Sequence, residues 1–236
     1  MDSAFRLTGF FHGLKLPVIA LIFCLLSGGS YAQLTLVSDD FNDGNISANP
    51  VWSGSTANYT VSPVSPLDGT HNLSNATTGS VSTIYTQYGS ATNLSAANYA
   101  FTMLYRDNGS SDPSSMGAWQ DFTSTSVNHW RFYLAANSSN PNTASGVCLA
   151  HSGNTLKLLV RTGSGNGWDA VSYTISRNTT YSIKVVAKPN GNWELYVDEG
   201  TGEATTLRGS QWPNLFMSAG ATCSVCRSLF FSPSTS

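Results

Sequence analysis

Tyr181-Ser182-Ile183-Lys184-Val185-Val186-Ala187, then Lys188-Pro189-Asn190-Gly191-Asn192, then Trp193-Glu194-Leu195-Tyr196-Val197-Asp198: this stretch decides the fold class. Two apolar alternations of period two flank a Pro-Asn-Gly turn, which reads as a β-hairpin. Tyr181, Ile183, Val185 and Ala187 share a face with Trp193, Leu195 and Val197 on the return strand, and that face belongs in a core. Ser182, Lys184, Val186 and Lys188 point the other way, with Glu194, Tyr196 and Asp198. Like faces must meet, so Lys188 is expected opposite Glu194, Val186 opposite Tyr196, and Lys184 opposite Asp198. A slip of one residue would set lysines against core positions, and an odd-numbered loop is therefore predicted.

Working outward, the same period recurs. Tyr99, Phe101, Met103 and Tyr105 alternate with Ala100, Thr102, Leu104 and Arg106. Trp130, Phe132 and Leu134 alternate with Arg131, Tyr133 and Ala135, and Leu156, Leu158 and Val160 with Lys157, Leu159 and Arg161. Turn signals such as Asn108-Gly109, Asn140-Pro141 and Ser164-Gly165 separate them. No window after the N-terminal segment keeps a helical period. Many short strands at this spacing imply an all-β sandwich or barrel.

The N-terminal segment has a different character. Residues 16–26 are an apolar run too short to span a bilayer, preceded by Arg6 and Lys15 and followed by Ser27-Gly28-Gly29. Ser30-Tyr31-Ala32 has the small-x-small pattern of a signal-peptidase site. Residues 1–32 therefore read as a signal peptide and 33–236 as one domain, exported across the membrane with no insertion after cleavage. Removing Arg6, Lys15 and Asp2 leaves 9 basic and 12 acidic residues, a net charge near −3. No basic patch is present, which argues against nucleic acid and anionic membranes as partners. The cysteines left after cleavage are Cys148, Cys223 and Cys226. An odd count argues against a full disulfide framework, while Cys223-Ser224-Val225-Cys226 has the spacing of a local disulfide in an oxidising compartment.

Just behind the signal peptide lie Ser38-Asp39-Asp40-Phe41-Asn42-Asp43-Gly44 and then Trp52. Together with the hairpin, these residues resemble the concanavalin A-like lectin/glucanase superfamily, and most nearly the laminin-G-like jelly-roll domains of secreted bacterial surface proteins. The resemblance implies a two-sheet antiparallel jelly-roll β-sandwich with one concave sheet and its first and last strands close together. Phe230-Phe231 would lie on the last strand. Where the family pattern continues with acidic residues, this chain has Ser232-Pro233-Ser234-Thr235-Ser236.

Retaining glycanases of this superfamily resemble one another in a Glu-x-Asp-x-x-Glu strand, which sets an acid and a nucleophile about 5–5.5 Å apart. By strand order that element should fall at Ser145-Gly146-Val147-Cys148-Leu149-Ala150-His151, which holds no carboxylate. Glu194 and Asp198 share a strand face but are four residues apart, too far for the retaining geometry. Asp107, Asp112 and Asp121 lie in loop-like sequence without a paired glutamate. No catalytic residue is assigned. Asp39, Asp40 and Asp43 are hard oxygen ligands suited to a structural calcium; alternatively they make a turn and cap the strand start. Trp119, Trp168 and Trp212, in Gly-, Ser- or Pro-rich surroundings, are the candidate platforms for a sugar face, with Arg106, Arg131 and Tyr133 on the concave sheet. Trp52 and Trp193 are expected to be buried. His71, His129 and His151 show no ligand spacing. Eight N-x-Ser/Thr sequons occur, little more than so Asn-, Ser- and Thr-rich a chain produces by chance. The expectation is a secreted, cell-surface, lectin-like module that binds polysaccharide or mediates surface contact without catalysis. A diverged glucanase-type hydrolase and a purely structural spacer are the alternatives.

Overall fold

The computed structural model describes residues 38–75, 84–86, 98–108, 130–136, 146–161, 168–211 and 229–233. All of them fall in one compact unit, Leu36–Ser236. The strands are β1 (Ser53–Gly54), β2 (Tyr59–Ser62), β3 (Asn72–Asn75), β4 (Ile84–Thr86), β5 (Tyr99–Arg106), β6 (Trp130–Ala136) and β7 (Gly146–Ser152). They continue with β8 (Thr155–Arg161), β9 (Trp168–Thr174), β10 (Thr180–Ala187), β11 (Trp193–Glu199), β12 (Leu207–Gln211) and β13 (Leu229–Pro233). A 3-10 turn, Thr56–Asn58, sits between β1 and β2.

One sheet has seven strands in the order β1-β4-β13-β6-β7-β8-β9, and a second has four, β12-β11-β10-β5. A small ladder pairs β2 with β3. The chain changes sheet from β4 to β5, back at β6, again at β10 and again at β13, so it wraps both layers as a jelly-roll sandwich. The last strand, β13, lies between β4 and β6, with only β4 separating it from β1. Phe230 and Phe231 are on it, as the resemblance implies.

Side chains from both sheets form one core. Phe132, Leu134, Val147, Leu149, Leu156, Leu158, Val160 and Val171 of the large sheet meet Tyr181, Ile183, Val185, Ala187, Trp193, Leu195 and Val197 of the small one. Tyr99, Phe101, Met103 and Tyr105 pack against them from β5. Each fully buried Leu or Ile contributes about 1.5–3 kcal/mol over leaving it exposed. A second cluster of Trp52, Tyr59 and Ile84, with Phe41, Ile46 and Leu73 against it, anchors the N-terminal segment.

The hairpin has the expected faces and a different register. Val186 opposes Glu194, Lys184 opposes Tyr196 and Ser182 opposes Asp198, a shift of two residues from the expected pairs. A two-residue shift preserves the faces, so the core pattern cannot distinguish the two registers. The loop is odd-numbered as predicted, with five residues from 188 to 192: Lys188 N donates to Asn192 O (2.8 Å) and Gly191 N to Lys188 O (2.8 Å). Lys188 still pairs with Glu194, diagonally. Lys184 instead turns to Glu203 (2.8 Å), while Asp198 accepts from the loop that follows it.

Two irregularities shape the large sheet. The β6–β7 register shifts between Tyr133 and Ala135, and the β8–β9 register between Leu158 and Leu159. Such bulges increase local twist, which lets a broad sheet curl over its partner. At the sandwich edge β12 crosses β9 so closely that a Cβ on Gly209 would lie 2.8 Å from Val171 Cγ1.

Candidate functional site

The first candidate is the aspartate-rich entry segment. Phe41 N donates to Asp39 Oδ1 (2.8 Å), and the Trp52 indole N–H to Asp39 Oδ2 (2.6 Å). Asp40 accepts from Asn42 N and Asn42 Nδ2, each at 3.0 Å, and Asp43 from Asn45 N (3.1 Å) and Asn45 Nδ2 (2.9 Å). These are aspartate-centred turns: each carboxylate caps its own loop two residues on. Gly44 N closes onto Phe41 O at 3.0 Å, with Gly44 at φ +78°. Burial pushes the Asp39 carboxyl up, against the opposing bonds from Trp52 and Phe41. The Asn42 backbone N–H holds Asp40 down. Among the described residues, no three His, Cys, Asp or Glu side chains gather to hold a metal ion. Asn42 Oδ1 also accepts from Thr70 N (2.6 Å) and Thr70 Oγ1 (2.9 Å), tying the entry segment to the β2–β3 loop. Gly69, at φ +64°, has no room for a Cβ beside the Asn42 carboxamide.

The second candidate is the end of β5. Arg106 is half-buried, and its Nη2 donates to Ser65 O at 2.6 Å, bracing a loop in which Ser65 takes a left-handed φ of +50°. Its Nε is buried without a hydrogen-bond partner. Arg106, a candidate ligand contact from sequence, thus supports the β2–β3 loop.

The third candidate is the face of the large sheet turned away from the sandwich core. Here Tyr133 opposes Cys148 and Cys148 opposes Leu159. Tyr133 and Cys148 are 0% exposed and Leu159 is 1% exposed, and Ala150, opposite Arg131 on the same face, is 0% exposed. Tyr133 therefore presents no surface to a ligand, which corrects its sequence assignment: alternation places it off the core face, but that face is itself covered. Strand β7 covers the residues at which the sequence resemblance places the expected catalytic strand. Its core-side residues, Val147 and Leu149, are as buried as the opposite ones.

The outer side of the four-stranded sheet carries a polar relay. Lys188 donates to Glu194 Oε1, the Tyr196 hydroxyl to Glu194 Oε2 (2.8 Å), Lys184 Nζ lies 4.9 Å from the Tyr196 ring centroid, and Lys184 continues to Glu203. Burial opposes ionisation of Glu194, but the bonds from Lys188 and Tyr196 outweigh it and hold the carboxyl below its usual range. Thr206 and Thr205 hold Asp198 well below the usual carboxylate range. Glu194 and Asp198 are thus spent on structure, each with its own donors.

Trp119, Trp212, Cys223 and Cys226 lie outside the described residues, as do the side chains of Trp168, which opens β9, and Arg131 on β6. Trp52 and Trp193 are each 5% exposed, as expected from their sequence patterns. His151, an ordinary residue without ligand spacing in the sequence, has a structural partner. It is 1% exposed, and its Nδ1 lies 2.9 Å from the Tyr105 hydroxyl, joining the two sheets through their shared interior. The signal was available: His151 follows Val147 and Leu149 at period two, on the core face.

No protein-family model matches the sequence, and no curated protein is similar to it. Among solved structures, the carbohydrate esterase vb_24B_21 from the Shiga toxin-encoding bacteriophage phi24B is similar at 14% identity, over 84% of this chain and 89% of that one, with a TM-score of 0.49. A GH131 β-glucanase catalytic domain from Podospora anserina shares 14% identity over 86% and 89%, with a TM-score of 0.40. The carbohydrate-binding module CBM66 from Bacillus subtilis shares 12% over 78% and 92%, with a TM-score of 0.34. Likenesses this loose do not carry a ligand or an activity over to this chain.

Proposed function

We propose that the chain is a secreted, non-catalytic, laminin-G-like jelly-roll module that binds polysaccharide at a cell surface. The observation that supports the non-catalytic part is β7. Where the sequence resemblance implies a glucanase catalytic strand, it carries Val147, Cys148, Leu149 and Ala150, all at most 2% exposed, with neither a carboxylate nor an open face. Retaining hydrolysis needs two carboxyl groups flanking a bound sugar. The glycan part is supported by the sequence resemblance and by Trp119 and Trp212 in Gly-, Ser- or Pro-rich sequence, with Trp168 at the start of β9, as stacking platforms.

The test is a pull-down on insoluble β-glucan, cellulose and chitin beside a reducing-sugar assay on the soluble counterparts. Retention that drops at least tenfold in Trp119→Ala or Trp168→Ala, with no sugar released, supports the reading. Sugar release overturns its non-catalytic part, and no retention on any polymer overturns its glycan part. Export is tested by recovering the chain outside the cytoplasm with Gln33 as its N-terminus. Calcium at Asp39, Asp40 and Asp43 is a secondary proposal, because these carboxylates would have to turn from their own loops toward one another. A melting temperature raised by calcium over EDTA supports it, and equal temperatures overturn it.

A further inference from the structure

We draw no further inference here: the strongest candidate, the loop between β2 and β3 that Arg106 and Asn42 brace, exposes the apolar side chain of Val64, and nothing in the structure shows what covers it.

Discussion

His151 shows how much one side chain can hold when it is buried with a partner. Its ring bonds the Tyr105 hydroxyl and meets the Tyr105 ring edge-on, with centroids 5.7 Å apart. Tyr105 belongs to the four-stranded sheet and His151 to the seven-stranded one, so the contact pins the layers in register. Removing the hydroxyl leaves the ring packing in place and takes away a buried hydrogen bond. Tyr105→Phe is expected to cost about 1–2 kcal/mol, read as a lower urea midpoint at unchanged slope. A midpoint equal to wild type would show that the bond contributes nothing net. Both positions were legible as core from their alternation. Their bond was not, because no sequence rule sets which core residues of two sheets stand opposite each other.

At the scale of the strands, charge and close approach act separately. Glu194, Asp198 and Glu203 are all held below their ordinary values by hydrogen bonds to the hairpin or its following loop. A carboxyl whose folded value is depressed adds stability above its unfolded value, about 4, and loses it as pH falls through the folded one. Asp39, raised by burial, works in the opposite direction, favouring the folded state more as it protonates. With Asp40, held down by Asn42, four depressed groups stand against one raised group, which predicts that the urea midpoint falls as pH drops from 5 to 2, and that Glu194→Gln flattens the upper part of that fall. A midpoint unchanged over this range would contradict it.

Gly209 tests packing rather than charge. Its neighbour Val171 is β-branched and stiff, so an added methyl cannot be absorbed by a rotamer change. Gly209→Ala is expected to cost about 1–3 kcal/mol by overpacking, and Gly209→Ala with Val171→Ala to recover part of it. If the double variant is no more stable than the single one, the close approach is not the cause. The glycine's role was invisible in the chain: Leu207-Arg208-Gly209-Ser210 gives no hint that another strand crosses there. Arg208 lies 4.4 Å from the Tyr173 ring centroid and donates to Val197 O, so the same crossing is also clamped by a cation.

At the scale of the whole molecule, fold and site were legible to different degrees. Period-two alternation fixed the strands β5, β6, β8, β10 and β11 and their core faces, because side-chain direction along a strand is a local property. The same local rule could not choose between hairpin registers two residues apart. In the register adopted, Lys184 stands opposite Tyr196 and pairs with Glu203 on the following loop. Nor could alternation say what lies beyond the sheet. Tyr133 and Arg106 are candidates for the concave sheet by sequence; Tyr133 is sealed in, and Arg106 braces a loop. By itself, then, the sequence determined an all-β sandwich, its core faces and a β7 strand without carboxylates. Only the tertiary structure decided which outward faces are covered, which charges pair and how the opening aspartates are used. The physical reason is that strand direction and burial pattern are written every second residue, whereas covering and pairing depend on segments distant in the chain.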